Sequence, residues 1–355
     1  MNRIFKTTAA VSLAAAWLSL PLCAKDKPIS IARQGLFSSG GSVTAPVPGS
    51  FDETKNWLDA TRAGNTAHID HANVFFQIPA KEKGLPVVFL HGYGQSRMGW
   101  QTTPDGREGW SDFFLRAGHS VFLVDQPRRG AAGMTAQMTT DAFLDTWAEN
   151  SKDYKPGDQA WYTHFRIGRV APQRYEGSQF PAGEEAQNQF FRQMTVNTGN
   201  FDAALFGESL GAVLSDVRKM TGKKSVYITH SAGGRVGWQT PAENIAAIVA
   251  VEPGGTPEAG SPEYKKLLAA NVPVLVIMGD YIDNGPADIQ STSFWKNVRD
   301  GAVAFAAQYT ADGGTAEVWD LPKMGIIGNS HFLFQELNNK EIAVLVEQWI
   351  GKNVK

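Results

Sequence analysis

Short apolar runs recur along the chain, each closed in or near a Gly, Pro, Asp or His. They cover residues 74–78, 87–90, 120–124, 225–228, 245–251, 272–278 and 315–319. Runs that are apolar throughout, rather than alternating, predict strands buried on both faces, as in a parallel sheet covered by helices. Helix-length stretches lie between them at 110–117, 234–244, 262–270 and 291–308. Alternating strand and helix predicts one open, mostly parallel α/β sheet. Ahead of Val74, residues 29–45 and 65–71, with turn signals at 38–41, read as added antiparallel strands.

One interval breaks the rhythm. Residues 126–224 far exceed the roughly 30 residues that a strand–helix–strand unit needs, and the excess is rich in aromatics from Trp147 to Phe191. An aromatic insertion at the C-terminal edge of an α/β sheet is where a cap over a ligand site would sit. Most of these rings are expected to form the cap's own core. The chain reads as one domain, residues 25–355, with a cap inserted at about 131–222.

The N-terminus alters the destination. Arg3 and Lys6 precede an apolar stretch over 9–22 that ends Leu22-Cys23-Ala24, the pattern of a cleaved signal peptide at 1–24. The stretch falls short of the roughly 20 residues of a membrane span, so the expectation is export to the periplasm or beyond, with no span left after cleavage. Lipid anchoring at Cys23 is disfavoured by Leu22, where a small residue is wanted. Cys23 is the only cysteine and leaves with the signal, which rules out thiol nucleophiles, Cys-ligated zinc and iron–sulfur clusters. With 33 Lys+Arg against 35 Asp+Glu and 43% hydrophobic residues, neither a disordered tail nor a nucleic-acid binder built on positive charge fits.

The sharpest local signal is Val226-Tyr227-Ile228-Thr229-His230-Ser231-Ala232-Gly233-Gly234. A β-run, a serine, small residues and a helix-length segment form a strand–turn–helix that would hold Ser231 Oγ clear of the sheet, with the Ala232 N–H facing a developing oxyanion. Thr229 stands where the usual G-x-S-x-G turn has its first Gly, a change that fits if its hydroxyl finds a backbone partner. A serine nucleophile needs a base. Among seven histidines, His331 follows the last predicted strand and the loop Gly325-Ile326-Ile327-Gly328-Asn329-Ser330, ahead of a final helix from near Asn339. That loop belongs to the C-terminal edge of the sheet. His230 abuts the serine but points to the wrong side of a sharp turn. The acid that orients the imidazole has two candidates at the ends of successive strands, Glu252 and Asp280; either satisfies the order Ser, acid, His, and the residues alone leave both open. The second oxyanion donor is expected from His91-Gly92-Tyr93-Gly94-Gln95, where a strand runs into a low-bulk turn and offers the Tyr93 N–H. No phosphate-cradling glycine pattern follows a strand. His68, Asp70 and His71 lack the further ligands a metal site needs, so neither metal nor cofactor is expected. Arg107, Arg128 and Arg129 lie near strand ends, where substrate-carboxylate recognition is possible and structural ion pairing is the commoner outcome.

The set His91-Gly92, Trp100-Gln101-Thr102-Thr103-Pro104-Asp105-Gly106-Arg107, Asp125-Gln126-Pro127-Arg128-Arg129-Gly130, Ser231 and Gly328-Asn329-Ser330-His331-Phe332 resembles the α/β-hydrolase superfamily, and within it a group of exported bacterial esterases with an inserted cap. The resemblance spans about residues 30–350. It implies a cofactor-free serine carboxylesterase acting on a small-molecule or lipid-like ester. In that group the triad acid is a Glu after the strand that follows the nucleophile helix, which implies Glu252, with Ser231 as nucleophile, His331 as base, and Tyr93 and Ala232 as backbone oxyanion donors. A non-catalytic binding protein on the same fold, or an acyltransferase or amidase using the same triad, are the rival readings.

Overall fold

The computed structural model describes residues 27–55, 61–133, 157–195 and 197–354. The expected signal peptide and residues 134–156 of the expected insertion, with Trp147, lie outside the described residues. In chain order the elements are β1 (Ile31–Ser39), β2 (Ser42–Thr44), β3 (Ala67–Ile69), β4 (Ala72–Pro79), β5 (Val87–Leu90), α1 (Met98–Gln101), α2 (Trp110–Ala117) and β6 (Val121–Asp125). Then follow α3 (Asp158–His164), α4 (Glu184–Arg192), α5 (Ala203–Thr221), β7 (Ser225–His230), α6 (Ala232–Gln239) and β8 (Ile245–Val251). The chain closes with α7 (Pro262–Ala269), β9 (Val274–Met278), α8 (Gln290–Ala311), β10 (Ala316–Asp320) and α9 (Asn339–Asn353).

Eight strands form one sheet in the order β1-β4-β6-β5-β7-β8-β9-β10. From β6 to β10 the pairings are parallel, and β1–β4 and β4–β6 are antiparallel. The fold is an α/β-hydrolase fold with antiparallel strands added at its N-terminal side. Residues 74–78 read as one of the buried runs of a parallel sheet, yet β4 runs antiparallel to both neighbours: uniform apolarity reports burial on two faces and says nothing of direction. β2 and β3 form a separate antiparallel pair.

The period-2 geometry of strands sorts the core into two layers. Val88, Leu90, Phe122, Val124, Ile248 and Ala250 face a layer with α5 and α8. Val87, Phe89, Leu123, Ile228, Val249 and Val251 face the layer with α2 and α9. Helix α5 begins at Asp202, whose carboxylate accepts from the N–H groups of Ala204 and Leu205 at 3.1 Å, and ends at the left-handed Gly222. Its buried Phe206, Leu210, Val213, Leu214 and Val217 pack on the sheet. Part of the 131–222 interval is therefore an ordinary crossover helix, and among the described residues of that interval α3 and α4 lie toward the C-terminal edge, where Phe165 stacks on His331 and Phe190 packs on Phe332. Helix α6 ends earlier than the expected Asn244: Thr240 is extended (φ −59, ψ 134), as a residue ahead of Pro241 prefers. No helix among the described residues is long and apolar enough to cross a membrane.

Candidate active site

Ser231 stands between β7 and α6 with φ 52 and ψ −122, a conformation costly for a residue with a Cβ and held only where the surroundings fix it. Three bonds do so: its N–H donates to the Val251 carbonyl at 3.1 Å, and its carbonyl accepts from Gly234 at 2.9 Å and Gly254 at 3.1 Å. The helix start is pressed against the neighbouring strand end, so that a Cβ on Gly233 would lie 2.4 Å from the His91 carbonyl oxygen. The larger Thr229 is accommodated by glycines one and two turns into α6: a Cβ on Gly237 would stand 3.1 Å from its methyl, and one on Gly234 would stand 3.7 Å from its hydroxyl. The hydroxyl itself is buried without a hydrogen-bond partner, so it is space rather than a backbone bond that admits the threonine.

The two candidate acids diverge. Glu252 has left-handed backbone (φ 47) and is fully buried. Its Oε2 lies 3.0 Å from His331 Nδ1, and its Oε1 accepts from Arg166 Nη2 at 2.6 Å and from the Gly279 N–H. Asp280 spends its carboxylate on the backbone, accepting from the Tyr281 N–H at 2.6 Å and the Gly328 N–H at 2.8 Å. It thus fastens the loop that carries His331 and makes no bond to the ring.

His331 is 0% exposed. Its N–H donates to the Phe165 carbonyl at 3.2 Å, while the Phe165 ring stacks on the imidazole at 4.6 Å and 13° and Trp295 flanks it at 4.4 Å. Because a carboxylate faces Nδ1, the ring proton sits there and Nε2 carries the lone pair. That Nε2 is buried and has no hydrogen-bond partner; Ser231 and His331 are not hydrogen-bonded here, a looseness usual in unliganded sites. Burial, reinforced by the positive Arg166 and by His164, holds the His331 pKa well below the usual imidazole range, which favours the neutral ring with its Nε2 lone pair unprotonated. Just ahead of it, Glu336 takes the Ser330 N–H on both oxygens at 2.9 and 3.1 Å and the Asn329 Nδ2 at 2.8 Å. Burial pushes the Glu336 carboxyl up to about 7.

The opposite wall is the segment His91-Gly92-Tyr93-Gly94-Gln95. A Cβ on Gly92 would stand 2.8 Å from Ser231 Cβ and 2.9 Å from His230 Nδ1, and Gly94 is left-handed (φ 63) against Trp161. Tyr93 lies between these glycines, and Ala232 opens α6, where the first N–H groups have no intrahelical acceptor. His230 points beneath the serine and ties the two walls together. Its Nδ1 lies 2.8 Å from Gln95 Oε1, and its Nε2 lies 3.0 Å from the His331 carbonyl oxygen. Its ring centroid is 4.5 Å from that of His331.

A solved structure of a bacterial esterase, described as novel, superposes on this chain with a TM-score of 0.78 and 30% identity, covering 93% of this chain and 99% of that one. The chain belongs to the α/β-hydrolase esterases. A curated relative named "Probable secreted lipase phiG", from Fungal sp. (strain ATCC 74256), is 29% identical over 317 residues, 75% of this chain and 82% of its own length. No protein-family model matches the chain. The protein is a carboxylic ester hydrolase.

Within this esterase the other sequence candidates have structural duties. Arg107 pairs with Asp105 at 2.7 Å and donates to the carbonyls of Glu336 and Leu337. Arg128 holds Asp70 through Nε at 2.7 Å and Nη2 at 3.2 Å. Asp70 lies beyond the end of β3 in left-handed backbone (φ 57), so it does not continue the strand face to which His68 belongs. Buried Arg129 donates to the Arg128 carbonyl at 3.0 Å. Sequence reasoning missed Arg166, which reaches Glu252 across 86 positions; an isolated arginine after Phe165 carries no periodic or motif signal. It also missed Glu336, although a charged residue following Phe332-Leu333-Phe334-Gln335 is a visible anomaly.

Proposed function

We propose that the esterase works through an acyl-enzyme on Ser231, with His331 as general base and Glu252 as orienting acid. The observation that supports this best is the state of His331: Nδ1 committed to Glu252 at 3.0 Å, Nε2 buried without a partner, on the strand edge where Ser231 is held strained. Ser231 Oγ attacks the ester carbonyl and passes its proton to His331 Nε2, while Glu252 stabilises the imidazolium. The Tyr93 and Ala232 N–H groups receive the negative charge that develops on the carbonyl oxygen. The alcohol leaves with the proton from Nε2, and a water activated by the same nitrogen releases the acid. The inserted segment acts as a cap; Trp161, Phe165 and Phe190 pack with Phe332 beside the imidazole and favour an apolar, small-molecule or lipid-like ester. Export to the periplasm or beyond is supported by the basic and apolar pattern of residues 3–24 and by the word "secreted" in the relative's name. Ser231→Ala is expected to lower turnover of a short-chain aryl ester by about 10³-fold or more; purified, folded variant with wild-type turnover would reject the mechanism.

A further inference from the structure

We propose that Arg166, delivered by the inserted segment, is a positioning residue for the catalytic acid, so that the insertion completes the charge arrangement of the site as well as covering it. The inference rests on the mechanism proposed above. Glu252 presents two oxygens to two different partners, His331 Nδ1 on Oε2 and Arg166 Nη2 on Oε1, at 3.0 and 2.6 Å. Both charged side chains are almost wholly buried, Glu252 at 0% and Arg166 at 3% exposure. A carboxylate withdrawn from solvent needs a cation to remain ionised, and a neutral imidazole, with its single proton on Nδ1, cannot be that cation in the resting enzyme.

The guanidinium is held from three directions. Its Nε donates to the Asp280 carbonyl at 2.9 Å, and its carbon sits 4.9 Å from the Trp295 ring centroid. Its own backbone is left-handed (φ 61). Residues 164–166 act together: the His164 carbonyl accepts from Trp295 Nε1 at 2.7 Å, and Phe165 both stacks on His331 and accepts its N–H. Fixed charge at Oε1 leaves Oε2 free to accept from Nδ1, and it opposes premature protonation of His331. The titratable and charged groups around that imidazole are Glu252 just after β8, His230 at the end of β7, His164 at the end of α3 and Arg166 just after it. Asp280, after β9, is turned to backbone N–H groups, and Glu336 lies beneath the preceding loop residues. Of these, Arg166 is the permanent cation.

The test is the pH dependence of kcat and KM for an aryl ester with the full protein, its R166K and its R166Q variants. For R166Q the acidic limb of the kcat/KM profile should move upward by about one pH unit or more, because loss of the cation eases protonation of His331. At the optimum, kcat should fall about tenfold or more with KM within about twofold of wild type. R166K keeps the charge and loses the planar fork, so its limb should stay in place with an intermediate kcat. An unmoved limb in R166Q, or a raised KM with kcat intact, overturns the proposal, the first as mere scaffolding and the second as substrate recognition. If R166Q does not fold, R166K decides: a limb in place with reduced kcat supports the proposal, and a moved limb or unchanged kcat overturns it. Fluorophosphonate labelling of the wild type at Ser231 separates the two levels. Unlabelled wild type overturns the serine mechanism, and this inference with it, whereas labelled wild type with an unmoved R166Q limb overturns the role of Arg166 alone.

Discussion

Two carboxylates leave the ends of neighbouring parallel strands, Glu252 after β8 and Asp280 after β9, within one loop-length of the same histidine. Glu252 turns inward through left-handed backbone, is fully buried, and meets an imidazole and a guanidinium. Asp280 is half-buried and meets the N–H groups of Tyr281 and Gly328. The contrast teaches that a strand end supplies a place, while the partners of the side chain decide between chemistry and scaffolding. One acid faces the ring that carries the proton; the other fixes the loop that carries the ring.

Substitution should separate the pair. Glu252→Gln removes the charge proposed to stabilise imidazolium, and the expected loss of kcat for an aryl ester is about 10²–10⁴-fold. Asp280→Asn keeps one carbonyl acceptor for the loop, so the expected loss is about tenfold or less, with the pH profile in place. Equal losses, or the reverse order, would break the distinction.

A third acid, Glu336, fully buried like Glu252, sharpens it through stability rather than rate. Glu336 has a folded pKa raised from 4.5 to about 7 by burial, so the folded state holds a proton that the unfolded chain releases at lower pH. Its contribution to stability is complete below about pH 4.5 and is lost as pH rises through about 7, a change of about 3 kcal/mol. Glu336→Gln retains an acceptor for Ser330 and does not titrate. The wild-type Tm should therefore decline relative to the variant between pH 4.5 and 8, as thermal melts across that range would show. A difference independent of pH would mean that Glu336 is ionised throughout.

The sheet was largely legible because buried strands are written as uninterrupted apolar runs: β5 and β8 coincide with two of them residue for residue. The direction of β4 was not, since its pairing with β1 and β6 depends on chain reversals that its own residues do not encode. At the elbow, Thr229 was legible as a departure, and so in principle was its remedy. Gly233, Gly234 and Gly237 occupy one eight-residue helix, where each glycine costs about 1 kcal/mol against alanine; so many imply close packing. By their own surroundings Glu252 and Asp280 could not be told apart, and only the family resemblance pointed to Glu252; which carboxylate meets His331 depends on side-chain direction and on Arg166, which arrives from a segment without periodicity. Contacts made across 79 and 86 positions, those of Glu252 with His331 and Arg166, become visible only once the chain has folded.

The central claim is that the substrate's acyl group is carried by Ser231. Rapid acid quench of the enzyme during turnover of an aryl ester, followed by peptide mapping by mass spectrometry, tests it directly. The account predicts an added acyl mass on the peptide containing Ser231, appearing with the burst of released phenol and absent from Ser231→Ala. Turnover with no acyl adduct at any time, or an adduct on another residue that survives in Ser231→Ala, would contradict it.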